Sequence, residues 1–178
     1  ARLYRKYEAA AGEIVRRNPY QLADEMKGVG FQTADRIARQ LGLGEDAPMR
    51  LRCGAEYTLR KLTEGGHACY PADSLIESVA ETLGVDEERA RQGLRLATDN
   101  GALVLERRNS GQWVVYPVDL HTAETAVASY LSALLTQPPR DDAETLFDDA
   151  GFDTLNEEQR HGVRNALAHR VSVLTGGP

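Results

Sequence analysis

The hydrophobic positions in the first third of the chain recur with the period of an α-helix. A first helical run ends at Asn18-Pro19, and a short helix of about residues 20–26 follows, because proline is favoured in the first helical turn. Lys27-Gly28-Val29-Gly30 interrupts the pattern, which resumes over residues 33–41 and can end at Gly42. The pattern therefore predicts a helix, a hairpin and a second helix.

The middle of the chain is built from shorter periodic segments. An apolar stripe over residues 51–62 is closed by Gly65-Gly66 and is followed by two short helices, each ended by a glycine. Residues 103–106 and 112–116 are β-branched or aromatic runs joined by a turn, which predicts a β-hairpin. Two helices and a hairpin within residues 72–118 predict a winged-helix-like unit.

The last third begins with an apolar helix after Asp119 and then becomes strongly acidic. Residues 141–158 carry eight acids and no base, a composition typical of an exposed linker rather than a packed element. Residues 156–168 look helical, and residues 171–174 form a short β-branched run that predicts a buried strand.

These patterns predict a mainly α-helical chain with a small α+β part. The regions we expect are a helix-hairpin-helix region at 1–71, a winged-helix-like unit at 72–118, a connecting helix at 119–140, an acidic linker at 141–154 and the beginning of a further α/β domain at 155–178.

Composition is that of a soluble globular protein, with 42% hydrophobic and 27% charged residues among 178. No segment resembles a targeting signal and no apolar run approaches the roughly 20 residues that a membrane helix needs, so we expect a cytoplasmic protein without membrane contact. Cys53 and Cys69 lack Cys-x-x-Cys spacing, which favours two reduced thiols over a disulfide framework or a zinc site.

A net charge of −6 argues at first against nucleic acid, because the phosphate backbone favours clustered Lys and Arg. The charge is unevenly distributed, however. Residues 1–70 hold 12 Lys/Arg and 9 Asp/Glu, whereas residues 71–178 hold 9 and 18. Any electrostatic footprint for DNA is therefore expected in the first third.

Two glycine-containing segments are candidates for phosphate contact. Gly176-Gly177-Pro178 follows the predicted strand, and a strand that enters a Gly-rich turn can direct its N–H groups at phosphate oxygens. Gly28-Val29-Gly30 joins two predicted helices, where its amides and the second helix's N-terminus could meet a DNA phosphate. Taken alone, the first is an ordinary turn and the second an ordinary tight connection between helices.

Further motifs indicate that both glycine-containing segments belong to one kind of protein. Residues 155–160, a helix, and residues 171–178 resemble the Q motif and the opening Walker A segment of superfamily 1 helicases, and residues 26–31 resemble the helix-hairpin-helix motif. Other matching positions occur in the same order: Asn18-Pro19-Tyr20-Gln21-Leu22, Gly66-His67, Tyr70-Pro71 and Glu124. Over nearly its whole length, the chain resembles RecD-like superfamily 1 DNA helicases.

The resemblance implies the start of a RecA-like motor domain at 155–178, with ATP and Mg²⁺ as cofactors. It implies adenine contact by Gln159, phosphate contact by Thr175, Gly176, Gly177 and Pro178, and DNA contact by Lys27, Gly28, Val29 and Gly30. The implied activity is ATP-driven 5′-to-3′ translocation on single-stranded DNA with unwinding at single-strand/duplex junctions. The family's lysine, magnesium ligand, catalytic carboxylate and arginine finger would all lie after Pro178, so we expect no catalytic residue within the chain.

Alternative interpretations remain at this stage. The chain could be a DNA-binding or protein-docking adaptor without a motor, and the winged-helix-like unit could be a surface for protein partners. Five arginines of that unit could touch phosphates, although acids sit among them: Arg89, Arg91, Arg95, Arg107 and Arg108.

Three other side chains in the middle of the chain are further candidates. Trp113 and Tyr116 could stack on a base, whereas packing in the hairpin is the commoner role. His67 lacks a paired nucleophile or carboxylate motif, which favours a structural role.

Overall fold

The computed structural model describes residues 16–25, 29–149, 151–152 and 154–176. These residues are mainly helical, as predicted, and include a small sheet. The chain divides into two compact units, 1–121 and 122–178.

The first unit contains most of the regular structure. Its elements are α1 (Gln21–Glu25), α2 (Phe31–Gln40), α3 (Pro48–Thr63), β1 (Tyr70–Pro71), α4 (Ala72–Leu83), α5 (Glu87–Asp99), β2 (Leu103–Arg107) and β3 (Trp113–Pro117). A long helix, α6 (Val118–Leu135), begins in the first unit and continues into the second.

Local signals set the ends of these helices. Pro48 occupies the first turn of α3, where its missing N–H costs nothing. The Asp86 side chain accepts a hydrogen bond of 2.8 Å from the Arg89 N–H and so caps α5. Gly84 ends α4 with φ at 64°, a left-handed conformation that glycine adopts without strain.

Helix α3 forms one core with α4 and α5. Its fully buried Leu51 and Leu59 belong to the same hydrophobic cluster as Leu75 and Val79 of α4. At Gly93 of α5 the two backbones approach so closely that a Cβ atom would lie 2.5 Å from the Leu51 carbonyl oxygen. The core of residues 72–118 therefore extends back to α3.

The sheet has the strand order β1-β3-β2 and is antiparallel throughout. Tyr70 pairs with Val115, and Leu105 pairs with Val115 from the other side. From α3 onward the order is helix, strand, helix, helix, strand, strand, which is a winged-helix-like arrangement. The sequence predicted two helices and a hairpin, and the structure adds α3 and β1 to them.

A buried ion pair links the helix-hairpin-helix part to this core. The guanidinium of Arg50, which is 2% exposed, donates to both carboxylate oxygens of Asp35 at 2.9 and 3.1 Å. It also donates to the carbonyl oxygens of Glu45 and Leu83, and the Tyr20 hydroxyl donates to Asp35 at 2.7 Å. Burial first, and then the hydrogen bond to Asp35, raise the pKa of Tyr20.

The second unit contains the rest of α6, together with α7 (Ala143–Asp149) and α8 (Glu157–Ala168). Helix α7 lies in the acidic segment that was predicted to be an exposed linker. That prediction is wrong for these residues, because Ala143 and Phe147 are buried and α7 packs on α8. The Arg164 guanidinium of α8 lies 4.0 Å from the centroid of the Phe147 ring.

The strand predicted at residues 171–174 is not formed, which corrects the sequence interpretation. Val173 and Leu174 are 87% and 83% exposed, and no described strand lies alongside to supply hydrogen-bond partners. The Leu174 side chain lies against Gly162 of α8.

Candidate nucleic-acid interface

The hairpin between α1 and α2 is the first candidate site. Of its predicted DNA-contacting residues, Val29 is half-buried and Gly30 is exposed, whereas Lys27 and Gly28 lie outside the described residues. Gly30 is the N-cap of α2, no side chain caps this end, and the first turn carries no acid. The N-terminus of α2 is thus favourable for a phosphate, because backbone N–H groups and the helix dipole both favour an anion there.

The backbone conformation at Gly30 does not itself require glycine. Its φ of −83° and ψ of 168° are an extended conformation that any residue adopts, so no positive φ requires glycine here. A Cβ atom at Gly30 would meet nothing within 4 Å. The space beside this backbone is open, as close approach of a ligand requires.

Aromatic stacking supports the hairpin at the start of α2. The Phe31 ring, in the first position of α2, lies between Tyr20 and Tyr57, with centroid distances of 5.4 and 4.7 Å. Asp35, one turn further along α2, is bound by Arg50 of α3. Sequence reasoning missed this support, because Arg50 is a single charged residue beside an apolar stripe.

Helix α2 carries two arginines in the third of the chain where a basic footprint was expected. Arg36 is exposed and forms no ion pair with any described residue, whereas Arg39 is bound to Glu45. The two residues line a shallow depression with Gln32, Asp35 and Gln40.

The five arginines of the winged-helix-like part fall into two groups. Arg89 pairs with Asp86, and Arg91 lies within 4.0 Å of Glu87 and Glu88, so their charge is largely neutralised. By contrast, three others form no ion pair among the described residues: Arg95, Arg107 and Arg108.

The two aromatic candidates of the hairpin have different surroundings. Trp113 is 50% exposed, so its indole face can be reached from solvent. Tyr116 is 5% exposed, and its ring meets His121 edge-on at 5.1 Å. Tyr116 is thus a packing residue, and of these two side chains only Trp113 remains a candidate for stacking on a base.

The remaining candidate side chains in this unit are one histidine and two cysteines. His67 is exposed, and no group of three metal-ligating side chains occurs in the described part of the chain. Neither Cys53 nor Cys69 forms a disulfide with a described residue. No helix in the described ranges has the length and hydropathy to cross a membrane.

In the second unit, Gln159 takes part in a capping box at the start of α8. Its backbone N–H donates to the Asn156 side chain at 2.9 Å, and its Oε1 accepts from the Asn156 N–H at 3.1 Å. Thr175 and Gly176 are exposed and irregular, and no described hydrogen bond joins them to Gln159. Gly177 and Pro178 lie outside the described residues.

Comparison with known proteins gives a match to a family model and a match to a helicase. Residues 1–69 match the family model of the helix-hairpin-helix domain of ATP-dependent RecD2 DNA helicases. The ATP-dependent RecD2 DNA helicase of Deinococcus radiodurans is 32% identical over 168 residues, which cover 86% of this chain and 23% of that protein. The resemblance inferred from sequence motifs is confirmed. The chain is therefore similar to RecD2 helicases over most of its own length, it spans about a quarter of the length of that relative, and its residues 1–69 resemble their helix-hairpin-helix domain.

Proposed function

We propose that this chain is the DNA-binding accessory region of an ATP-dependent helicase that translocates 5′-to-3′ on single-stranded DNA and unwinds duplex at junctions. The observation that carries the DNA-binding part is the open, uncapped N-terminus of α2 at Gly30. Contacts of this kind are made to phosphates and do not read sequence. The proposed contact also includes Lys27, Gly28 and Val29, which precede Gly30 in the sequence.

The motor part of the proposal concerns residues 155–178, as the start of a RecA-like domain. Gln159 would contact adenine, and Thr175 to Pro178 would lie against phosphates. The capping box is compatible with this role, since the Gln159 Oε1 can accept a second hydrogen bond and its amide nitrogen can donate.

Reading the gene beyond Pro178 tests the motor part. A Gly-Lys-Ser/Thr sequence within the next few codons would complete the phosphate-binding loop, with the lysine on the β/γ-phosphates and the hydroxyl on Mg²⁺. A stop codon there would refute the motor and leave a DNA-binding or docking adaptor.

The substitution Gly30→Val tests the DNA-binding part. Valine is compatible with the φ and the open space at this position, so folding should be retained while its side chain obstructs a phosphate. We expect weaker binding of a fluorescently labelled oligonucleotide, measured by anisotropy, and steep weakening of wild-type binding with salt.

The matched control is Arg39→Ala on the same helix, because Arg39 is already paired with Glu45. Folded Gly30→Val protein with wild-type affinity would refute DNA contact at the hairpin. Wild-type binding that is constant from low to high salt would refute phosphate contact altogether.

A further inference from the structure

The outer end of the β2–β3 hairpin presents an arginine and a tryptophan side by side. Arg107 and Trp113 are directly cross-strand, and both are exposed. The turn beyond them is closed by a 2.9 Å hydrogen bond from the Arg108 N–H to the Gln112 carbonyl oxygen, with Gly111 at φ 87°. Because cross-strand neighbours lie on one face, the indole and the guanidinium are held on the same side of the sheet.

The charged side chains at this end of the hairpin are all positive, although the whole chain is acidic. Residues 107–113 contain two arginines and no acid. The preceding Glu106 points to the other face, since side chains alternate along a strand, and its carboxylate lies 3.0 Å from His121 Nε2. Arg107 has no ion-pair partner among the described residues, unlike Arg89 and Arg91 of α5. Arg108 alternates to the same face as Glu106, and its guanidinium donates to the Cys69 Sγ at 3.0 Å.

The apolar part of this surface is also left open. Leu105 is 44% exposed and, like Trp113, continues the face that carries the buried Val115 further down the sheet. The Arg107 guanidinium is held near the turn by a 3.3 Å hydrogen bond from its Nε to the Gly111 carbonyl oxygen. Its terminal nitrogens remain available for an anion.

We propose that the Arg107–Trp113 end of the hairpin is a binding site for unpaired nucleotides, in which Trp113 stacks on a base and Arg107 contacts an adjacent phosphate. An aromatic face beside an arginine without an ion-pair partner is complementary to a single strand, which offers both an open base and a phosphate. Bases within a duplex are already stacked on their neighbours. The site deepens the proposed function and rests on the chain's binding of DNA.

Trp113 is the single tryptophan of the chain and therefore reports on its own site. Oligothymidylate and a blunt-ended duplex are titrated separately into the 178-residue chain while tryptophan emission and the anisotropy of labelled oligonucleotide are followed. We expect oligothymidylate, but not the duplex, to quench Trp113. Trp113→Ala should weaken oligothymidylate binding roughly 5- to 100-fold, and Trp113→Phe should retain most of it.

Arg107→Ala tests the phosphate contact through salt dependence. Loss of one such contact should reduce the slope of log affinity against log salt by about 0.7 for a single strand. The matched control is Arg91→Ala on α5, which removes an arginine already neutralised by carboxylates and should leave the slope unchanged.

Three outcomes would overturn the inference. If oligothymidylate binds but folded Trp113→Ala protein keeps wild-type affinity, the site is refuted while DNA binding by the chain stands. If Trp113 emission shifts to the blue when the chain alone is concentrated, the surface is a self-association interface instead. If anisotropy shows no binding of either oligonucleotide, the proposed function fails and this site with it.

Discussion

The carboxylate of Asp35 and the guanidinium of Arg50 form two hydrogen bonds across a largely buried contact between α2 and α3. The side chain of Arg50 is 3% exposed and that of Asp35 is 15% exposed. The geometry is bidentate, which is the strongest arrangement available to this pair. Two backbone carbonyl oxygens accept two further guanidinium protons, so four of the five N–H donors of Arg50 have a partner.

Removing one member of this pair should therefore be costly. Asp35→Ala leaves a buried guanidinium without its counter-charge, and we expect the free energy of unfolding to fall by about 3–5 kcal/mol. Urea unfolding followed by circular dichroism measures it. Arg39→Ala breaks the exposed Arg39–Glu45 pair and should cost at most about 1 kcal/mol. Equal costs for the two variants would contradict the structural role of Asp35.

Tyr20 gives the first unit an alkaline pH dependence. Its folded pKa is raised above the ordinary 10.0 by burial and by its hydrogen bond to Asp35, so the folded state favours the neutral phenol. This stabilisation is fully present below pH 10 and is lost as pH rises towards the folded pKa. Tyr20→Phe should cost about 1–3 kcal/mol at pH 7, and its deficit relative to wild type should shrink above pH 10.

Urea unfolding at pH 7 and between pH 9 and 11 tests this expectation. Tyr130→Phe is the control, because Tyr130 is 74% exposed and should show no deficit at either pH. A Tyr20→Phe deficit that stays constant to pH 11 would contradict the proposed linkage.

The close contact of α3 and α5 predicts a position that does not tolerate a methyl group. In Gly93→Ala the new Cβ would lie 2.5 Å from the Leu51 carbonyl oxygen, which is backbone and can move only with its helix. We expect a net loss of about 1–3 kcal/mol in spite of alanine's higher helix propensity. Gly30→Ala, where a Cβ meets nothing within 4 Å, should leave the unfolding free energy nearly unchanged. Thermal unfolding of both variants decides whether the two helices are in contact here.

Gln159 has an observed capping role and a proposed adenine role, and two substitutions separate them. Gln159→Ala removes both, whereas Gln159→Glu keeps an acceptor for the Asn156 N–H but loses the amide donor. In a polypeptide with a complete nucleotide site, both variants should lose a several-fold preference for ATP over GTP, on the scale of about 0.5–1.5 kcal/mol. Helix stability should fall only in Gln159→Ala. A wild-type nucleotide preference in Gln159→Glu would restrict Gln159 to capping.

Much of the helical pattern was predictable because its signals are local. Gly84 and Gly101 end α4 and α5 as predicted, with positive φ at both. The acidic helix α7 also carried a signal, since the buried Ala143 and Phe147 are four residues apart, but the surrounding carboxylates obscured it.

Long-range features could not be read from the chain. β1 has two residues, Tyr70 and Pro71, too few to show any period. Arg50 finds its partners 15 and 33 residues away, at Asp35 and Leu83, and no local pattern indicates that an arginine will be buried. The ion pairs that distinguish Arg91 from Arg107 likewise depend on side-chain geometry.

Helix α3 is shared by both parts of the first unit. Its Tyr57 ring stacks on Phe31 of the hairpin region, while its Leu51 lies in the core with α4 and α5. If a flexible segment joined the two parts, the distance between Gly30 and Trp113 along a bound DNA strand would vary. Because both parts share one helix, the fold sets a single distance between them. The fold would then set the minimum length of a DNA strand that contacts both positions. Oligonucleotides too short to span the two positions would engage one end only, and affinity would rise in a step once the strand is long enough to reach both.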